Sequence, residues 1–400
     1  MQPPLPRLLA ASVLASAASA GIASADTALE GLPAEAPAGE LEVVHLFHDA
    51  MPTGVAVSRE GRIFVNFPRW GDEPAQTVGE IVDGEVVPYP SAAMNVGGED
   101  AADTPPSDHL VSVQSVVIDP DNRLWILDTG SPRFGGVIPG GAKLIGVDLA
   151  DDEIFQVVTF PDDVVLKSTY LNDVRFDLTV GEAGFAYITD SSATGENALI
   201  VVDLSDGSSR RVLGGHPSVE EAPNFVPIVE GRTLMQDTKN KSPEPLPIGA
   251  DGIALSAGGE TLYWTQLAGR HLFRIPTAAL RDEGLTADEL AEKVEDLGDR
   301  GYASDGLESD AAGNLYLTNY EDGAVMRRNA DWSTEPLVVS PHLLWPDTLA
   351  VAADGYLYVT SNQLHRSPDY QDGEDRRVKP YALFRTLIDA EPIELGSEDR

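Results

Sequence analysis

Asp305-Gly306-Leu307-Glu308-Ser309, a turn at Gly313 and the return through Leu315-Tyr316-Leu317 decide the fold of this chain. A polar residue opens an alternating strand, a Gly closes a tight turn, and an aromatic-bearing strand comes back. The same hairpin opens at Thr53-Gly54-Val55-Ala56-Val57, Gln114-Ser115-Val116-Val117-Ile118, Asn172-Asp173-Val174-Arg175-Phe176, Asp251-Gly252-Ile253-Ala254-Leu255 and Asp347-Thr348-Leu349-Ala350-Val351. Its turns carry Gly61, Asn122, Gly184, Gly259 and Gly355, the residue types that adopt positive φ at least cost. The returning strands include Ile63-Phe64-Val65, Leu124-Trp125-Ile126 and Leu357-Tyr358-Val359, β-branched and aromatic residues suited to half-buried pleats. The six starts lie 42 to 79 residues apart. A four-stranded blade takes roughly 40–45 residues, so each repeat holds one blade plus loops of varying length. The pattern predicts an all-β chain, a six-bladed β-propeller with four-stranded antiparallel blades. Glu42 to Phe47 and Tyr381 to Leu387 are strand-like segments outside the repeats. They are expected to pair within one blade, so that the N- and C-terminal strands close the ring and leave no long free edge.

Two stretches break the pattern. Pro276 to Gly301 reads as helical: Thr286 and Glu289 form a capping box, and Leu290, Val294 and Leu297 fall on one face. His216 to Ala250 is rich in Pro and Gly, lacks periodicity, and is expected to be a long loop covering the tunnel. At the N-terminus, Arg7, the apolar run Leu8 to Ala20 and Ala23-Ser24-Ala25 have the order of a secretory signal peptide over residues 1–25. A flexible segment over 26–40, one propeller domain over 41–390 and a C-terminal tail over 391–400 complete the expected organisation. The destination is secreted, periplasmic or extracellular.

The formal net charge is −38, from 65 acidic against 27 basic side chains. Such a surface repels phosphate backbones and anionic headgroups, so nucleic acid and membrane are not expected partners, while a cationic or neutral small molecule is drawn in. The chain contains no Cys, which excludes disulfides, thiolate chemistry and Cys-based zinc sites. No H-E-x-x-H, G-x-S-x-G, P-loop or dinucleotide fingerprint stands out, and no organic cofactor is expected. A monomer is expected.

The residue opening the innermost strand of a blade sits at the mouth of the central tunnel. Aligning the six repeats places Thr53, Gln114, Asn172, Asp251, Asp305 and Asp347 in one ring. Like charges held this close raise one another's pKa unless a cation or hydrogen bonds compensate. Ca²⁺ takes oxygen ligands from carboxylates and amides, and Asn172, Asp251 and Asp305, from consecutive blades, are the candidate metal ligands. Thr53, Gln114 and Asp347 are candidate ligand-binding residues. The ends of the second strands, Asn66, Asp128, Asp190, Gln266, Asn319 and Ser361, form a second polar ring. From it, Asp128 and Asn319 join the candidate ligand-binding set. Phe67, Trp70, Tyr320 and Trp345 are aromatics near the same rim, and His109 precedes the second repeat as a candidate general base.

Six ordered blocks resemble the Yellow/major royal jelly protein family, in its bacterial branch. They are Gly54-Val-Ala-Val-Ser with Gly61-Arg-Ile-Phe-Val-Asn-Phe-Pro-Arg-Trp70, Val113-Gln-Ser-Val-Val with Leu124-Trp-Ile-Leu-Asp-Thr-Gly130, and Tyr170-Leu-Asn-Asp-Val-Arg-Phe-Asp177. The others are Ala250-Asp-Gly-Ile-Ala-Leu-Ser256, Ala303-Ser-Asp-Gly306 with Asn314-Leu-Tyr-Leu317, and Trp345-Pro-Asp347 with Gly355-Tyr-Leu-Tyr358. The resemblance runs from about Leu41 to Leu387 and implies export and the same propeller. Amine-binding members of that family imply a ligand at the tunnel mouth and, by position, roles for Asn319 and Ser304. A more distant likeness, to gluconolactonase-like propellers, implies a divalent cation held by residues in the register of Asn172 and Asp251, although Thr53 stands where that pattern has Glu. Three functions stay open: a protein binding a small polar or cationic molecule, a metal-dependent lactonase or esterase, and a protein-interaction propeller.

Overall fold

Each of the six hairpins is the inner half of a four-stranded antiparallel sheet in the computed structural model, which describes residues 38–97, 103–239 and 241–397. The expected signal peptide, most of the 26–40 segment and the last three residues lie outside that set. Blade 1 runs outward through Val55–Val57, Ile63–Asn66, Val78–Val82 and Glu85–Pro88. Blade 2 comprises Val113–Ile118, Leu124–Asp128, Lys143–Asp148 and Glu153–Thr159; blade 3, Leu171–Asp177, Phe185–Asp190, Ala198–Asp203 and Ser209–Val212. Blade 4 comprises Ala250–Leu255, Thr261–Gln266, His271–Pro276 and Glu295–Asp299; blade 5, Leu307–Ser309, Leu315–Asn319, Ala324–Arg328 and Thr334–Val339. Blade 6 takes Pro346–Val351, Tyr356–Ser361 and Tyr381–Leu387 from the C-terminal part of the chain and Glu42–Phe47 from the N-terminal part. Phe47 pairs with Tyr381 and Glu42 with Arg385, so the ring closes as the sequence predicts.

The core lies in the seams between blades, where apolar faces of neighbouring sheets meet. Trp125 is fully buried, stacked on Phe176 of the next blade at 4.9 Å and met edge-on by Phe155 at 5.2 Å. The polar ends of the inner hairpins are tied by the same device in two blades: Asp119 accepts from Trp125 Nε1 (2.7 Å) and Asp310 from Tyr316 Oη (2.9 Å). Each aspartate also accepts from the backbone of its own turn, so one carboxylate fixes both the turn and the aromatic that packs the seam.

Two expectations change. The capping box at Thr286 and Glu289 is present, but the helices are only Thr277–Arg281 and Ala287–Ala291. Glu295–Asp299, with Leu297 in it, is the outer strand of blade 4, pairing with His271–Pro276. The sheet needed a fourth strand, and that pairing overrode the local helical pattern. The 216–250 stretch is a loop only to Gly249, since Ala250 begins the inner strand of blade 4. It carries a small hairpin, Ile228–Val229 with Arg232–Thr233, and buries Val229, Leu234, Leu246 and Ile248 against Leu267, Tyr320 and Trp345. Past blade 6 the chain stays attached: Leu178 donates to Leu395 O, and Asp310 bridges Pro392. No helix among the described residues is long and apolar enough to cross a membrane.

Candidate ligand-binding site

Irregular inner strands give the tunnel its chemistry. Strand pairing slips between Val113 and Ser115, Leu171 and Val174, Ala250 and Ile253, and Pro346 and Leu349. A bulge takes residues out of the ladder and re-aims their side chains. The residues released here include Gln114, Asn172, Asp251 and Asp347, and Asp305 lies two residues before its strand begins at Leu307. These five floor a cavity of about 360 Å³ at the tunnel mouth and also line a narrow neck below it. The Asp-Gly dipeptides are close approaches between blades. A Cβ on Gly252 would lie 2.3 Å from Asp305 O, and one on Gly306 would lie 2.2 Å from Asp347 O.

The floor is acidic and buried. Asp305 accepts from Trp345 Nε1 at 2.7 Å, and Asp347 from Asn362 Nδ2 at 2.6 Å and Thr348 Oγ1 at 3.1 Å. Asn172 Nδ2 donates to Asp251. Burial drives the carboxyls of Asp251 and Asp347 well above the usual range; the charge of Asp305 adds to both, and hydrogen bonds from Asn172 and Asn362 oppose it. Asp305 is pushed up to about 7, by burial first, with the Trp345 bond pulling down and Asp173 pushing up. These aspartates have only neutral hydrogen-bond partners among the described residues, and no basic side chain there cancels their charge by direct pairing.

An aromatic wall stands above this floor. Phe134 stacks between Trp70 (5.4 Å) and Tyr170 (4.1 Å). Trp70 Nε1 donates to Tyr170 Oη (2.6 Å), which donates to Gln114 Oε1 (2.9 Å). Burial, with help from Asp347, Asp251 and Asp128, raises the Tyr170 phenol far above its ordinary value, so it stays protonated. A further wall comes from the segment between the second and third strands of blade 6, which contributes Tyr370 and Arg377. Arg377 is neutralised at the rim by Asp72 and Asp375.

The remaining candidates sit elsewhere. Thr53 is fully buried and donates to Gln114 O (3.3 Å), joining blade 1 to blade 2 outside the cavity. The second polar ring does not line the cavity; Asp128, Asp190 and Ser361 tie down the segments leading into the inner strands. Asp128 accepts from Val111 N, Ser112 N and Lys143 Nζ. Asp190 accepts from Tyr170 N and Thr169 Oγ1, and Ser361 donates to His342 O and Leu344 O. Asn319 bonds Asp322, Ser304 accepts from Arg300, and His109 faces Pro105 O. Of the four rim aromatics, Trp70 lines the cavity. Phe67 packs on Phe47, while Tyr320 stacks on Trp345 and supports Asp305 from behind. Tyr170, Phe134 and Tyr370 are missing from the sequence-derived set. Tyr170 stands two residues before a ring residue, which is a usable signal; the other two lie on loops without one.

Oxygen donors suit a hard cation, but the arrangement does not make a ready cage. No group of three His, Cys, Asp or Glu side chains among the described residues is placed to hold a metal ion. Asn172 turns its nitrogen to Asp251, and Asp305 and Asp347 each commit an oxygen to a neutral donor. As placed, each of these three carboxylates is engaged by at least one neutral donor.

The family model described as major royal jelly protein matches residues 111–379, which hold the cavity floor. The chain belongs to the major royal jelly protein family. Among its relatives, Protein yellow of Drosophila subobscura is 28% identical over 266 residues, covering 62% of this chain and 42% of that protein. The chain thus spans less than half of that relative's length. The Yellow-related salivary protein SP03 of Phlebotomus perniciosus is 25% identical over 337 residues, 78% of this chain and 79% of the other. Solved structures share the fold of this royal jelly family member at low identity. A luciferin-regenerating enzyme superposes with TM-score 0.53 at 12% identity, over 89% of this chain and 97% of its own. A gluconolactonase of Xanthomonas campestris gives TM-score 0.50 at 12% identity, over 90% and 99%.

Proposed function

We propose that this protein is a secreted binder of a small cationic organic molecule, an aromatic amine in particular, held in the tunnel-mouth cavity. One observation carries the reading: three buried aspartates, Asp251, Asp305 and Asp347, lie under the Trp70–Phe134–Tyr170 stack with no basic partner among the described residues. An ammonium group supplies the missing positive charge and suits aromatic faces as well as carboxylates. The cavity, about 360 Å³, falls in the range of small-molecule sites, about 300–1,000 Å³. The overall charge of −38 concentrates cations near the mouth. The test is a melting-temperature series with three molecules of one shape: phenethylamine, 2-phenylethanol and phenylacetate. A ligand bound only by the folded state raises the melting temperature. Phenethylamine should raise it by several degrees at millimolar concentration, with the alcohol weaker and the acid inert. Equal shifts from all three would refute the charge argument.

Metal-dependent lactone hydrolysis is the second reading, favoured by the oxygen-rich neck. It requires a Ca²⁺-dependent rise in melting temperature that EDTA reverses and hydrolysis that depends on the ion. The engaged carboxylates argue for neither.

A further inference from the structure

Arg328 ends its strand at the outer part of the seam between blades 4 and 5. Its neighbours Arg270, Arg274 and Arg327 pair with Glu321, Glu295 and Glu335. Arg328 has no such pair among the described residues: its electrostatic neighbours are the phenols of Tyr302 and Tyr263, and its Nε is buried without a partner there. In a chain with 65 acidic and 27 basic side chains, carboxylates are abundant, and the Arg328 Nη groups, with no carboxylate among the described residues, are open to an acceptor.

A cleft of about 150 Å³ opens at Arg328, lined also by Ser256, Tyr263, Asn329 and Trp332. Trp332 is 41% exposed and held at φ 70° by a turn in which its N–H donates to Asn329 O. That conformation is costly for a bulky residue. It places the indole 4.5 Å from Arg328 Cζ and 5.6 Å from Arg274 Cζ. The ring lies against the guanidinium, and the Nη donors are the ones left for a ligand.

We propose that this cleft is an anion site, separate from the mouth cavity, in which Arg328 binds a small oxyanion (sulfate, phosphate or carboxylate) beneath Trp332. A planar fork of N–H donors matches two oxygens of such a group. Polyanions are repelled by the overall charge, but beyond about 8 Å at physiological ionic strength that repulsion is screened, whereas contact with Arg328 is not. The oxyanion can be free or carried on a sugar whose ring stacks on Trp332.

The experiment follows the indole ¹H–¹⁵N resonances of the five tryptophans of the full-length protein. Sodium sulfate is titrated against sodium chloride at constant ionic strength. Sulfate should shift Trp332 saturably and leave the other four in place. Arg328→Gln should weaken binding at least about tenfold, the loss expected for a charge-assisted pair of hydrogen bonds, and leave phenethylamine binding unchanged. Arg328→Lys, which keeps the charge and loses the fork, serves if the Gln variant does not fold and should also bind more weakly. Glucose 6-sulfate binding more tightly than sulfate assigns the oxyanion to a sugar; equal affinity assigns it to the free ion. No saturable shift, the same shift with chloride, or undiminished sulfate binding by the folded variant overturns the proposal.

Discussion

Asp128 and Lys143 form an ion pair of 2.9 Å with side chains 0% and 1% exposed, behind the cavity wall. Asp128 also accepts from three backbone N–H groups, of Val111, Ser112 and Gly130. Asp128→Ala strands a buried ammonium and unsatisfied amides, so it should cost about 3–5 kcal/mol in urea unfolding. The protein that remains folded should bind amine as before, whereas a direct contact would lose affinity at little cost in stability. The sequence showed which positions open the inner strands, because six polar residues share one register where a core demands apolar ones. It did not separate Asp251, which faces the cavity, from Thr53 and Asp128, which are spent on backbone. That distinction depends on where bulges fall and which neighbouring N–H groups lack partners, and both are set by contacts between blades.

At the scale of elements, part of the cavity wall is made of two loops stitched together. Glu230, at the tip of the small hairpin, pairs with Arg366 and with His365 Nε2 at 2.9 Å. His365 stacks on Trp345 at 5.9 Å, and Trp345 holds Asp305. Asp237 exchanges backbone hydrogen bonds with Asp369 and Asp372. Glu230→Ala removes the ion pair with Arg366 and the hydrogen bond with His365 at a half-exposed site, so its effect on global stability should stay within about 1 kcal/mol. Its effect on the loops should be larger: severalfold faster protease cleavage within 216–249 and 362–380, and faster amine dissociation in stopped flow. Unchanged cleavage would mean that the apolar contacts of Val229 and Leu246 hold the wall without it. The loop over 216–249 is legible from its Pro and Gly content, but its small hairpin is too short to leave a pattern. The Glu295–Asp299 strand is an exposed edge of acidic residues, with no apolar alternation to announce it.

Across the whole molecule, the fold is the most legible property, since a repeat that recurs six times with turn glycines in place leaves few architectures, and ring closure follows from two unpaired strand segments. The electrostatic state of the folded tunnel depends on burial and is not legible. Asp251, Asp305 and Asp347 bind protons more tightly folded than unfolded, so the folded state holds more protons between the ordinary aspartate range and about 7, the value for Asp305. Stability should therefore fall as pH rises through that window, by at most about 1.4 kcal/mol per pH unit for each proton. The repulsion within a chain of charge −38 acts in the same direction. Asp305→Asn should flatten the slope, and saturating amine should reduce it. The most direct test of the acidic-floor account is calorimetric titration of phenethylamine into wild type and Asp251→Asn at pH 7, in two buffers of different ionisation enthalpy. The account predicts saturable binding with proton release in the wild type and at least about tenfold weaker binding in the variant. Absence of binding, or equal affinity in both proteins, would contradict it.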